Sequence, residues 1–180
     1  MDDKELIMKA QKGDKAAFGL LYQKYFQKIY RYCKFNTKND EVAKDICQES
    51  FVKAYKKIKD FSTDGNWSMQ AFLFAIARNL IIDNSRRKKE ANIDEYENLE
   101  SDENLYDDIE RRDNIRKIRV VLSRLDEVDR QIVVLRYFEE LQTGEVAKIL
   151  GIKDGALRVR SFRVMQKIKD LFESLYGQKN

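Results

Sequence analysis

The chain has no proline and no histidine among its 180 residues, and only two cysteines. Without proline nothing obliges a helix to break, so long helices can run between glycine and Asn/Asp punctuation. Without histidine the commonest neutral-pH acid–base group and the commonest metal ligand are missing, and Ser/His and Cys/His nucleophilic arrangements are excluded. Cys33 and Cys47 have neither CxxC spacing nor partners for a zinc site. Both fit helical segments, and the expectation is two buried thiols in a reducing compartment. No run approaches the ~20 apolar residues that span a bilayer. The opening Met-Asp-Asp-Lys-Glu has no signal peptide's apolar segment. Membrane insertion is therefore not expected, and the cytoplasm is the expected compartment. Catalytic residues, metal ligands and cofactors are likewise expected to be none.

The 43% hydrophobic and 37% charged content fits a helical protein with much exposed surface. Its net charge of +4 hides a strong polarity. Between Glu90 and Asp113 eleven carboxylates face only Arg111 and Arg112, a net of −9, which leaves +13 for the rest. A basic body interrupted by an acidic stretch suggests a polyanion-binding protein, because Lys and Arg gain from displacing counterions at phosphates.

Helical periodicity appears in Leu6, Ile7 and Ala10, then in Ala17, Leu20, Leu21 and Ile29. Between them Gly13 can end one helix and Asp14 can cap the next, which is expected to run to about Phe35. After a polar turn at 36–40, a helix is expected from Asp40 to about Lys59. Its Ile46, Phe51 and Ala54 lie near one side, while Asp45, Gln48, Glu49 and Val52 lie on a neighbouring side that is either a docking face or an ordinary solvated one. The loop from Asp60 to Ser68 carries Phe61 and Trp67, which can stack on unpaired bases or fold back over the helices. Met69 to about Lys89 reads as a long helix with Phe72, Ala75, Ile76, Leu80 and Asp83. It ends in Arg86-Arg87-Lys88-Lys89, a strand-binding surface or a simple complement to the helix C-terminus.

Weak apolar periodicity and like-charge repulsion make 91–113 a flexible acidic linker with some transient helix, whose acidity either keeps it from lying permanently on the basic domains' nucleic-acid surface or lets it occupy that surface as a weak mimic. From Asn114 the pattern tightens. Ile115, Ile118, Val121, Leu122 and Leu125 mark one helix, and Asp126 can cap a second with Ile132, Val133, Leu135, Tyr137 and Phe138. Ala147, Gly151 and Leu157 then have helix-turn-helix spacing: a small residue for close approach, a glycine to turn the chain, and an inward leucine. The following helix, from about Asp154 to Leu175, leaves Arg158, Val159, Phe162 and Arg163 opposite its inward Leu157, Val164, Ile168 and Leu171. In a major groove, arginine reads guanine or holds phosphate and apolar groups meet a thymine methyl. The fold class expected is all-α: two small helical domains, 1–90 and 114–176, joined by the acidic linker, with the helix-turn-helix in the second.

Four segments in this order resemble bacterial sigma factors of the extracytoplasmic-function group. They are Gly13-Asp14-x-x-Ala17-Phe18-x-x-Leu21-Tyr22, Asp45-x-x-Gln48-Glu49-x-Phe51, the run Phe72-Leu73-x-x-Ile76-Ala77-Arg78-Asn79-x-x-x-Asp83-x-x-Arg86-Arg87, and Leu135-Arg136 ahead of the helix-turn-helix. The resemblance covers nearly the whole chain. It implies a transcription initiation subunit without catalytic activity, whose partners are core RNA polymerase and promoter DNA. Asp45, Gln48, Glu49 and Val52 would dock on the clamp helices of the largest subunit. Phe61, Trp67, Phe72, Arg78, Asn79, Asp83, Arg86 and Arg87 would open and hold the minus-10 element. The second domain would sit on the polymerase flap, with Lys153, Asp154, Ala156, Arg158, Val159, Arg160, Phe162 and Arg163 in the minus-35 major groove. Sigma factors of this type are often held by an anti-sigma factor, so such a partner is within the expectation. The chain departs from the family pattern at Phe72, commonly tryptophan, at Asp126, commonly proline, and at Lys153 and Ala156, frequently serine and threonine. Two other classes fit parts of the sequence: a DNA-binding regulator that never joins polymerase, and a nucleic-acid enzyme with metal on the linker carboxylates.

Overall fold

The computed structural model describes residues 2–37, 39–63, 65, 67–90 and 109–177, except for the side chains of residues 89 and 109–112, and it contains no strand among them. The helices are α1 (Asp3–Gln11), α2 (Lys15–Thr37), α3 (Asp40–Lys57), α4 (Met69–Glu90), α5 (Ile109–Ser123), α6 (Glu127–Val133), α7 (Thr143–Leu150) and α8 (Asp154–Tyr176). The chain divides into two compact units, Met1–Glu100 and Ser101–Asn180.

Local chemistry sets most of the boundaries in the first unit. Gly13 adopts φ +93°, a conformation that glycine reaches without a Cβ penalty, and ends the turn after α1. Asp14 Oδ1 then accepts from the amides of Ala16 and Ala17 at 2.9 and 3.1 Å. Asn39 caps α3 through Val42 N at 3.0 Å, and Ser68 Oγ accepts from Ala71 N at the start of α4. α2 runs past Phe35 to Thr37, whose hydroxyl satisfies the Cys33 carbonyl at 2.9 Å. α3 stops at Lys57 and tightens into a 3₁₀ turn, Ile58–Asp60.

Helices α2, α3 and α4 pack on one another, and α1 lies against α2. Leu21, Ile29, Tyr32, Ala43, Cys47, Leu73 and Phe74 are buried at their centre. Each large side chain contributes about 1.5–3 kcal/mol by leaving water. Aromatic pairs join the helices: Tyr32 meets Phe74 edge-on at 5.0 Å, Tyr22 meets Phe51 at 4.7 Å, and Phe18 meets Tyr55 at 4.9 Å. Both cysteines are free and buried as expected. Burial pushes both thiols upward, Cys47 to about 12.

In the second unit α5 begins at Ile109, inside the stretch read as linker. No breaker lies between Ile109 and Asn114, and Asp113 pairs one turn on with Lys117 at 2.5 Å. The remainder of that acidic stretch, 91–108, lies outside the described residues. Asp126 caps α6 through Asp129 N at 2.8 Å. Where an unbroken helix to Phe138 was expected, the chain widens into a π turn over Val134–Phe138, leaving Tyr137 and Phe138 exposed. α7 opens with a capping box of Gln142 and Glu145 and ends at Gly151, φ +68°. Val121, Leu125, Ile132, Leu135, Val146, Leu157 and Val164 form the core. α7, the Gly151 turn and α8 make the expected helix-turn-helix, with Ala147 buried at its centre.

Candidate protein- and nucleic-acid-binding surfaces

On α3, Ala43, Ile46, Cys47, Ser50, Phe51 and Ala54 are buried, so the helix is fully committed on that side. Asp45, Gln48, Glu49 and Val52 are all exposed on the other. Val52 stands 52% exposed, an apolar side chain one turn from Gln48 and Glu49. Glu49 pairs with Lys53 of its own helix at 3.0 Å, a contact that water screens and a partner could exchange. At the other end of the helix, Asp40 is held far below the usual carboxylate range by Lys44, then by the Tyr30 hydroxyl and Lys34. α3 is thereby tied to α2 at its N-terminus while its middle face stays open.

The loop between α3 and α4 is anchored from α1. Gln11 Nε2 donates to the carbonyls of Ile58 and Phe61 at 3.0 and 2.7 Å, fixing where the loop departs. Sequence reading missed this residue, because its partners lie about fifty positions away and no local pattern signals them. Phe61 packs on Phe72 with ring centroids 5.0 Å apart, so this loop aromatic folds back onto α4. Trp67 is half-buried, as are Phe72, Arg78 and Asp83, whereas Asn79, Arg86 and Arg87 are exposed. Within the loop Asp64 and Asn66 lie outside the described residues. Phe72, Asn79, Asp83 and Arg86 are spaced by seven, four and three residues, which puts them along one stripe of α4. Asp83 lies 3.7 Å from Arg86 in that stripe. The arrangement offers a ring, an amide and cations in series.

On α8, Leu157, Ser161 and Val164 are buried, and Ile168 and Leu171 are half-buried. Lys153, Ala156, Arg158, Val159, Phe162 and Arg163 are exposed, Phe162 by 68% and Val159 by 54%. Asp154 is half-buried and pairs with Arg158 at 2.9 Å. An apolar patch flanked by guanidinium groups can meet both base methyls and phosphates. Arg160 behaves differently. Its Nε donates to Asp129 Oδ1 at 2.7 Å and its Nη2 to Asp126 Oδ1 at 2.9 Å, so its guanidinium is turned inward to α6. The Asp129 amide, aided by Arg160 and Lys167, lowers the Asp126 carboxyl, and the bond to Asp129 raises the Arg160 guanidinium. Among the described residues no group of carboxylates and thiols is arranged to hold a metal ion. No helix there is long and apolar enough to cross a membrane.

Comparison with known proteins places these surfaces in context. The family described as Sigma-70 region 2 matches residues 21–91, and that described as Sigma-70, region 4 matches residues 115–168. The chain is 30% identical over 184 residues to the ECF RNA polymerase sigma factor SigW of Bacillus subtilis, covering 96% of this chain and 97% of SigW. It is also 30% identical over 172 residues to the ECF RNA polymerase sigma factor BldN of Streptomyces coelicolor, spanning 93% of this chain but 64% of BldN. Among solved structures, the sigma factor RpoE of Bartonella quintana, in complex with the anti-sigma factor NepR, superposes with a TM-score of 0.72. That match covers 87% of this chain and 96% of RpoE at 18% identity, a likeness of fold.

Proposed function

The chain belongs to the extracytoplasmic-function group of sigma-70 factors and is a promoter-specific transcription initiation factor that binds RNA polymerase; from that premise we propose which surface does which part of the work. The anionic face of α3, Asp45, Gln48, Glu49 and Val52, docks on the clamp helices of the polymerase's largest subunit. An anionic face repels DNA, and its exposed valine suits a protein surface. The loop after α3 and the stripe on α4 hold the opened minus-10 strand. Phe61 and Phe72 offer rings, Trp67 borders the path, Asn79 meets a base edge, and Arg78, Arg86 and Arg87 hold phosphates. α8 enters the minus-35 major groove with Arg158, Val159, Phe162 and Arg163, while its domain rests on the polymerase flap.

The observation that carries this reading is the sign of the charges along two exposed stripes: Asp45 and Glu49 with Val52 on α3, Arg158 and Arg163 with Val159 and Phe162 on α8. The domains that do this work are residues 1–90 and 114–176, with α5 beginning at Ile109 inside the acidic stretch 91–113 that joins them. The protein acts in the cytoplasm and catalyses nothing itself. An anti-sigma factor holds it when its promoters are silent, as NepR is bound to RpoE.

Transcription from a random promoter library with purified core polymerase tests the whole. Expected are transcripts that depend on adding this chain and share two separated sequence blocks. Unchanged output without the chain, or a single block, would overturn the assignment of two reading surfaces.

A further inference from the structure

α8 carries three cations on one stripe, Arg160, Arg163 and Lys167, at the three- and four-residue spacing that aligns side chains along a helix. They border a shallow depression whose floor includes Asp129. Only part of this stripe is available to an outside anion. Asp129 is 10% exposed at its side chain, accepts from Arg160 at 2.7 Å, and lies 3.7 Å from Lys167. Asp126 takes the second edge position of the same guanidinium at 2.9 Å. Arg160 is therefore bonded along one side of its fork, by two carboxylates that belong to the α6 terminus. Arg158, two residues earlier, shows the contrast. Among the described residues it pairs with Asp154 on its own helix, and the side chain is 73% exposed.

This difference has a consequence for DNA. Every arginine placed on a phosphate adds affinity for all sequences alike, and steepens the fall of binding with salt by about 0.9 in the log–log slope. An arginine held by fixed carboxylates adds neither. It fixes instead how far α8 rolls relative to α6, and so which side chains reach the base edges. Two carboxylates beside the stripe also disfavour a phosphate that approaches without the correct seating.

We propose that Asp126 and Asp129 withhold Arg160 from the DNA backbone, making it a positioning residue that seats the recognition helix and limits sequence-independent affinity. This rests on the reading of α8 as the minus-35 helix. The carboxylates thus serve promoter discrimination at the expense of raw binding.

The test uses the full chain bound to core polymerase. A fluorescent promoter duplex selected from the random library is compared with the same duplex scrambled in its minus-35 block, over stepped salt. Asp126→Asn combined with Asp129→Asn keeps both shapes, and asparagine still caps α6. Expected is about three- to tenfold tighter binding of the scrambled duplex at low salt, with a slope steeper by about one. Adding Arg160→Ala to that variant should abolish both gains. Arg160→Ala alone should keep the wild-type slope yet narrow the preference for the selected duplex, because α8 loses its anchor. A shallower slope for Arg160→Ala alone, or a double-asparagine gain that survives removal of Arg160, would overturn the proposal. Should circular dichroism show the double variant unfolded, the slope of Arg160→Ala alone decides. Failure of the underlying reading looks different: wild-type complex would then not distinguish the selected from the scrambled duplex at any salt concentration.

Discussion

The exposed faces of α3 and α8 are built alike and charged oppositely. Each is a helix whose other side is committed to a core, and each sets exposed apolar side chains, Val52 on one and Val159 with Phe162 on the other, among charged groups. On α3 the charges on the stripe of Val52 are the carboxylates of Asp45 and Glu49, the latter paired with Lys53; on α8 the charges beside Val159 and Phe162 are the guanidinium groups of Arg158 and Arg163. Single exposed apolar side chains are ordinary, so it is the sign of the neighbouring charges that separates the two faces. A polyphosphate is repelled by the first face and drawn to the second. The two faces also differ in what holds them up: aromatic side chains from α2 meet Phe51 and Tyr55 of α3, whereas aliphatic side chains pack beneath α8.

The largest expected effect tests whether these supports are separate. Phe74→Ala empties the contact beneath Tyr32 and should cost the first unit about 3–5 kcal/mol. Denaturant unfolding followed by circular dichroism should show one early transition and one at the wild-type midpoint. A single shifted transition would mean that the two units stand or fall together.

Next in size is a crossed pair. Glu49→Lys should weaken capture by core polymerase about tenfold, or about 1.4 kcal/mol, with helicity retained and binding to non-promoter DNA no weaker. Arg163→Ala should cost about 1–3 kcal/mol at the minus-35 element if it meets a base edge, with polymerase capture unchanged. If either substitution produced the other's effect, the correspondence between charge and partner would be broken.

Acid should separate the faces more gently. The folded state lowers the Asp126 carboxyl, so its stabilising contribution is complete above the unfolded carboxylate pKa of about 3.9 and is lost as pH falls through the lower folded value. The melting temperature of the second unit should hold from neutral pH to about pH 5 and decline below about pH 4. Asp126→Asn should flatten that decline; an equally steep decline in the variant would assign it to other groups.

The smallest effect concerns the turn before α7, where Glu140 takes φ +56°. A non-glycine residue there pays about 1–2 kcal/mol, and glycine returns about half of that through the freer unfolded chain. Glu140→Gly should therefore gain about 0.5 kcal/mol, raising the midpoint of the second unit by roughly 2–4 °C. A fall in the midpoint would show that the glutamate side chain contributes more than its backbone costs.

The sequence revealed features that depend on near neighbours. Asp14, Asp126 and Gly151 announce helix ends through their own chemistry, and the apolar spacing of α3 and α8 told the buried side from the open one. Contacts across the fold were out of reach. Arg160 looked like one more cation of a basic helix, since Asp126 and Asp129 lie more than thirty residues earlier. Gln11 looked like an ordinary helix-end residue, and the π turn after α6 breaks no composition rule. From sequence Phe61 could stack outward or fold back, and it is Phe72 on α4, beyond the reach of a local pattern, that holds it inward.

The two thiols have a practical consequence. Both sit in the first unit, buried between α2 and α3, and both are held protonated well above neutral pH. An alkylating reagent reaches them when those helices part, so the labelling rate in native buffer clocks the opening of the first unit. The second unit contains no sulfhydryl, and its own fluctuations leave that clock silent.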